Sequence, residues 1–290
     1  MTEIDSNLFF CKNKDTYPPF KNGLYLEEYF ISKYNSECPK TKRTYIPFPW
    51  TNFQIEFWFQ SRKNEMQAQL DKWIQKNQND NGYFTVVQYD DGCLLNLPPN
   101  TIIYGCCSGN IPIPLIYEDK NDLMISKRID KSFEQKKILC SFVGTLTHPV
   151  RNMMISVLKN NNKDFIFETD PNWSPCVSLD KQNKFIEITC NSKFVLCPRG
   201  YGRNSFRFYE VLKLGSIPIY VWDDKEWLPY KDIIDYEKFC ISINVKDLHT
   251  LKTTLSNIDY LKYNEMISEY NKIKHLFTLD GLYDYIISQN

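Results

Sequence analysis

The residues best suited to chemistry lie between Lys193 and Tyr230, in KFVLCPRGYGRNSFRFYEVLKLGSIPIYVWDDKEWLPY. An apolar run, Phe194–Cys197, leads into a loop carrying Gly200 and Gly202. A helix is expected to start at Asn204 or Ser205. Arg203 and Arg207 are spaced i,i+4 and Arg207 and Glu210 i,i+3, so that helix carries all three on one face of its first turns. Strand, glycine loop and helix start are how α/β folds hold phosphate. Free N–H groups and the positive helix end face the anion, and glycines let it approach the backbone. Cationic residues in a first turn oppose the helix dipole until an anion arrives. The planar fork of arginine suits a diphosphate, and a carboxylate one turn deeper can accept hydrogen bonds from ribose hydroxyls. The Walker ending GK[ST] is absent, which disfavours a P-loop ATPase.

A purely structural reading of the same residues stands beside this one. Arg207 and Glu210 could form a surface ion pair worth a few tenths of a kcal/mol, Asn204 or Ser205 could only cap a helix, and the glycines could serve a turn.

The surrounding pattern supplies elements to position these groups. Helical spacing is present over Leu24–Tyr34 and over Asn52–Gln75, where Phe53, Phe57, Met66, Leu70, Trp73 and Ile74 recur near a 3.6 period. Arg43–Trp50 is extended or turn-like because of its prolines. Phe84–Gln88, Thr101–Tyr104 and Pro112–Tyr117 read as strands, with Asp90-Asp91-Gly92 a turn. The polar stretch Asn121–Lys137 marks the domain boundary. After it comes a clearer alternation: strand Ile138–Val143, loop Gly144–Pro149, helix Val150–Lys159, strand Phe165–Glu168, and a helix ending through Phe185–Cys190. Strand Phe194–Cys197, helix Ser205–Leu214 and strands Ile217–Val221 and Phe239–Val245 follow, then helices Asp247–Ile258 and Tyr260–Phe277. Such alternation predicts parallel βαβ units.

Composition narrows the class. Lys plus Arg and Asp plus Glu both number 35 in 290 residues, so a general nucleic-acid binder is not expected. No apolar run reaches the length of a membrane span. The first residues, MTEIDSNLFFCKNKD, have acids where a signal peptide needs bases, which makes a cytoplasmic location the expectation. The ten cysteines lack metal-ligand spacing, so no structural zinc and no disulfide framework is expected.

The stretch from Lys193 resembles the exostosin-type glycosyltransferase family. The matching residues are Ser192-Lys193-Phe194, Leu196, Pro198, Gly200, Ser205, Arg207, Glu210, Gly215, Ile217-Pro218-Ile219 and Leu228-Pro229-Tyr230. Val211 and Ser216 stand where the family usually has a small residue and a cysteine. Ser141–Leu158 resembles the family's strand–loop–arginine–helix segment, and Tyr263–Phe277 its closing helix. The resemblance covers roughly Ile138 onward.

It implies a GT-B-like α/β fold of two facing Rossmann-like domains, with a parallel sheet in the C-terminal lobe. Residues 1–130 would form the acceptor side and 136–290 the nucleotide-sugar side, with the helices of 260–290 free to pack back on the N-terminal lobe. It further implies inverting transfer from a nucleotide sugar, with UDP favoured, to a glycan or glycoprotein hydroxyl. No bound metal is expected, in keeping with the absence of a D-x-D sequence. A fucosyltransferase-like enzyme using a GDP-sugar and an inert nucleotide- or carbohydrate-binding module are the alternatives. The donor-binding candidates are Gly144, Arg151, Arg199, Gly200, Gly202, Arg203, Ser205, Arg207 and Glu210. Asp90, Asp91 and His148 are the candidate acid–base groups.

Overall fold

Two parallel sheets organise the chain, whose computed structural model describes residues 26–119, 122–159, 164–174 and 177–290. The amino-terminal stretch read for a signal peptide lies outside the described residues. The smaller sheet has the order β1 (Thr44–Tyr45), β2 (Tyr83–Val87), β3 (Thr101–Gly105), β4 (Ile111–Pro112). The larger contains β5 (Ile138–Thr145), β6 (Phe165–Asp170), β7 (Ser192–Pro198), β8 (Ile217–Trp222) and β9 (Ile241–Asn244), in the order β6-β5-β7-β8-β9. Its neighbours are all parallel. This mixed α/β architecture with two parallel sheets is GT-B-like.

Helices cover the larger sheet, so its central strands read as unbroken apolar runs rather than alternating ones. α4 (Pro149–Lys159), α7 (Leu251–Ser256) and α8 (Tyr260–Ile273) contribute Met154, Leu158, Leu255, Tyr263 and Met266 to one core with Phe142, Phe194 and Ile219. A second core holds Val195 and Cys197 of β7, Phe208 and Val211 of α6 (Phe206–Lys213), and Phe84 and Tyr104 of the smaller sheet. The two sheets therefore share apolar interior. Each fully buried Leu, Ile or Phe contributes roughly 1.5–3 kcal/mol by leaving water. α5 (Leu179–Asn191) packs beside β5 and β7. α9 (Leu279–Gln289) returns to α1 (Leu26–Glu37), where Tyr283 lies 5.0 Å from Phe30 ring to ring. Among the described residues, no helix is long and apolar enough to cross a membrane.

Several expected elements differ in extent. The first two residues of the Leu24–Tyr34 helix lie outside the described ones. The helix expected over Asn52–Gln75 is two, α2 (Trp50–Gln54) and α3 (Phe59–Lys76). Glu27 accepts hydrogen bonds from Thr51 N and Oγ1, and Gln54 bonds Gly92 O and Leu94 N. These tertiary bonds pin α2 short, and the intervening turn leaves Phe57 95% exposed instead of on the apolar stripe. Of the strand expected over Pro112–Tyr117 only Pro112 lies in one, the two-residue β4, since Pro112 and Pro114 have no N–H to donate. The Asp247–Ile258 helix opens as a 3-10 turn, Val245–Thr250, before α7. The Tyr260–Phe277 helix divides into α8 and a 3-10 turn, Lys274–Phe277, and α9 follows it.

Candidate functional site

The carboxyl ends of strands from both sheets open onto one cleft of about 870 Å³. Gln88–Asp90 after β2 form one wall. Val143–Thr145 of β5, the residues after β6 and the glycine loop after β7 form the other. Ligands of open parallel sheets bind at these strand ends.

α6 begins at Phe206 with Ser205 at its N-cap position, and no side chain caps its amides. Asn204, which sequence alone could not separate from Ser205 as the cap, turns aside: its Oδ1 accepts from Ser205 N and its amide donates to Tyr209 Oη at 3.0 Å. An uncapped helix start thus borders the cleft beside Ser205 and Arg207.

Arg207 reaches across the end of β5. Its Nη2 donates to Val143 O at 2.6 Å, and its guanidinium stacks 4.9 Å from the Phe142 ring and 5.9 Å from Phe185. A Cβ on Gly144 would lie 2.2 Å from that Nη2, and Gly144 has φ +156°, so the bare residue makes room for the guanidinium. The Arg207 Nε is buried with no hydrogen-bond partner.

Arg151, 6% exposed in α4, donates from Nε to Arg199 O at 2.9 Å and from Nη1 to Thr145 O at 2.7 Å. Burial, and then the charge of Arg207, disfavour its cationic form. Burial likewise lowers the pKa of Arg207. Among the described residues neither arginine has a carboxylate within ion-pair distance. Two largely desolvated guanidiniums beside a helix N-terminus make a site electrostatically short of an anion.

Glu210, 8% exposed, lines the same cleft and accepts a hydrogen bond from Tyr117 Oη at 2.9 Å. Burial raises its pKa, while Arg207 and the Tyr117 phenol oppose the rise.

Two arginines expected at the phosphate are committed elsewhere. Arg203 precedes α6, so it does not share a helical face with Arg207 and Glu210. Its Nε and Nη2 both bond Asp224 Oδ2, at 2.9 and 2.7 Å. Arg199 bonds Asp223 and Asp224 at 2.8 and 2.9 Å and Tyr201 O at 2.8 Å. Neither lines the cleft. Together they staple the glycine loop to the turn after β8, and Tyr220 Oη adds a bond to Arg203 O.

On the opposite wall, the Asp90 carboxylate lies against the Gly202 backbone of the glycine loop and beside the Cys107 thiol, and both favour its ionised form. A Cβ at Gly202 would fall 2.2 Å from Asp90 Oδ1 and 2.5 Å from Cys107 Sγ, an approach only glycine permits. Gly200 lines the cleft too, near Arg151. Burial raises the pKa of Asp90, against the pull of Cys107, Arg199 and Gly202. Asp91 is exposed and outside the cleft lining. His148 is also outside it, where its Nδ1 accepts from Val150 N at 3.3 Å at the start of α4. Burial, then the Arg199 charge, lower its pKa and favour the neutral ring.

Sequence reasoning did not anticipate Tyr117, Cys107, Phe185 or the exposed Trp173 and Tyr201 on the cleft rim. Aromatic residues are common throughout the chain, and only tertiary contact singles these out. Among the described residues, no group of three or more His, Cys, Asp or Glu is arranged to hold a metal.

The model of the exostosin GT47 domain family matches residues 106–258, just over half of the chain, and the chain belongs to that family. The match begins well before Ile138, because Cys106–Tyr117 are part of the shared unit. Over 146 residues the chain is 26% identical to a probable glycosyltransferase of Arabidopsis thaliana, covering 50% of this chain and 26% of that protein. It is 25% identical over 178 residues to the exostosin-1 homolog of Caenorhabditis elegans, covering 54% and 46%. A probable beta-1,4-xylosyltransferase of Arabidopsis thaliana is 33% identical over 82 residues, covering 28% and 20%. The matched stretches thus span less than half the length of these relatives.

Proposed function

We propose that this chain is an inverting glycosyltransferase that moves a hexose or pentose from a UDP-sugar to a hydroxyl of a glycan or glycoprotein. Arg151 and Arg207, without carboxylate partners beside the uncapped start of α6, are the observation that carries the reading. They face Asp90 across the cleft. Family membership and the names of several relatives agree with sugar transfer.

The acceptor oxygen attacks the anomeric carbon and forms the new C–O bond. The bond from that carbon to the diphosphate breaks, and the nucleoside diphosphate leaves with the electron pair. Asp90 accepts the hydroxyl proton; its raised pKa makes it a stronger base than an exposed aspartate. Arg207, Arg151 and the α6 amides stabilise the charge growing on the leaving phosphate. These fixed charges do what a divalent cation does elsewhere, so transfer is expected to proceed without metal.

Protection from heat by UDP and by GDP, followed by turnover on a panel of nucleotide sugars, tests the reading. UDP should protect and a UDP-sugar should be consumed, with activity surviving a chelator. Stronger protection by GDP points to the fucosyltransferase-like alternative, and binding without turnover on any acceptor to the inert module. Asp90→Asn should lower turnover about a hundredfold with UDP binding retained. Full turnover in that variant removes Asp90 from the mechanism.

A further inference from the structure

We propose that Tyr117 is a positioning residue that holds Glu210 ready for the ribose hydroxyls of the nucleotide donor, an inference that rests on the donor site described above. Tyr117 follows β4, on the segment leaving the smaller sheet, and does not itself line the cleft. It nevertheless reaches the donor helix: its Oη donates to Glu210 Oε1 at 2.9 Å, across 93 residues of sequence. Its ring packs edge-on against Phe206, with centroids 5.4 Å apart and planes at 73°. Phe206 is the first residue of α6 and Glu210 lies one turn on, so Tyr117 grips the helix at two points on one side.

This grip has a chemical consequence for Glu210. A ribose presents two adjacent hydroxyls, and an ionised carboxylate, an acceptor at both oxygens, can take hydrogen bonds from both. A protonated carboxyl would present a donor in their path. Burial favours protonation, and Asp119 acts in the same direction. Arg207, Tyr117 and Lys213 favour the ionised form. Cys197 of β7 also faces Glu210, as a buried thiol held neutral. Of these groups, Tyr117 is the one hydrogen-bonded to the carboxylate, so it fixes the direction of the group and adds to Arg207 in favouring its ionised form. Burial holds the phenol protonated and hence a donor.

Tyr117→Phe keeps the ring and its packing but removes the hydroxyl. Calorimetric titration with UDP and with 2′,3′-dideoxy-UDP, from pH 6 to 8, reads the ribose contact directly; GDP and its dideoxy analogue serve if the protein takes guanine. The unaltered protein should prefer the ribose form by at least about tenfold, roughly what one to two good hydrogen bonds to a charged group give. In Tyr117→Phe that preference should shrink severalfold, most at the acid end of the range, with an unchanged melting temperature. Adding Glu210→Gln should then cost no more than Glu210→Gln alone. If Tyr117→Phe keeps the full ribose preference at every pH while Glu210→Gln loses it, Tyr117 is not a positioning residue and the donor site stands. If Glu210→Gln and Arg207→Ala both bind UDP as the unaltered protein does, the donor site and this inference fall together.

Discussion

Gly144 and Arg207 meet at the end of β5, where the missing side chain of one is the space occupied by the guanidinium of the other. Gly144→Ala would place a methyl group 2.2 Å from Nη2. A guanidinium is the flexible end of its side chain and can yield, so the fold should persist while the anion site loses its alignment. Nucleotide affinity in Gly144→Ala should fall about tenfold, approaching the loss in Arg207→Ala, for roughly one charge-assisted hydrogen bond. Calorimetry with the nucleotide checks this, and an unchanged affinity would show that Arg207 does not need its present seat.

Arg203 and Arg207 should behave differently although four residues apart. Arg203 is spent on Asp224, so Arg203→Ala and Asp224→Ala should each weaken binding only through the glycine loop, by about threefold or less. The double variant should be no worse than Asp224→Ala, which already loses the contacts of both Arg203 and Arg199. A loss in Arg203→Ala as large as in Arg207→Ala, and absent from Asp224→Ala, would put Arg203 on the ligand instead.

Gly202→Ala should damage more than the anion site. Its methyl would meet both Asp90 and the Cβ of Cys107, the latter too near the backbone to rotate away. The glycine loop and the smaller sheet must then separate locally, at a cost of about 1–3 kcal/mol. Unfolding in denaturant should report that loss, and turnover should fall with it. Unaltered stability would mean the two walls are not in tight contact.

Glu27 gives the fold a pH signature. Its carboxylate accepts from Thr51 N and Oγ1 and from Gln88 N, without an ion-pair partner among the described residues, and burial pushes its pKa up to about 7 against those bonds. The folded state then holds the proton where the unfolded chain, near 4.5, has released it. Stability from this group is therefore greatest below pH 4.5 and declines as pH rises toward 7, by roughly 3 kcal/mol at most. Glu27→Gln cannot titrate, and its amide turns a donor toward one of the same N–H groups. Its deficit relative to the unaltered protein should be largest near pH 5 and narrow by pH 8. Parallel curves in denaturant at the two pH values would contradict the assignment.

The larger sheet was legible in the sequence because its signals are local. Apolar runs such as Phe194–Cys197 and Ile217–Val221 are bounded by glycine and proline, and each became a central strand. Val143–Thr145, Gly200, Gly202, Ser205, Arg207 and Glu210 came to the cleft because one turn of helix and one loop fix their mutual positions. What failed depended on distant partners. Nothing near Arg203 in sequence announces Asp224, and nothing near Thr51 announces that Glu27 will hold it and end the helix early. Tyr117 and Glu210 are the extreme case, two residues defined by each other from separate sheets' territory.

The close approach of the bare Gly202 backbone to Asp90 couples the glycine loop electrostatically to the facing wall of the cleft. The Gly202 backbone lowers the proton affinity of Asp90, so any ligand that draws the loop away leaves a more basic carboxylate behind. A displaced glycine loop and a more basic Asp90 then go together. Occupancy on one wall is then felt as basicity on the other, through a single backbone position that carries no side chain.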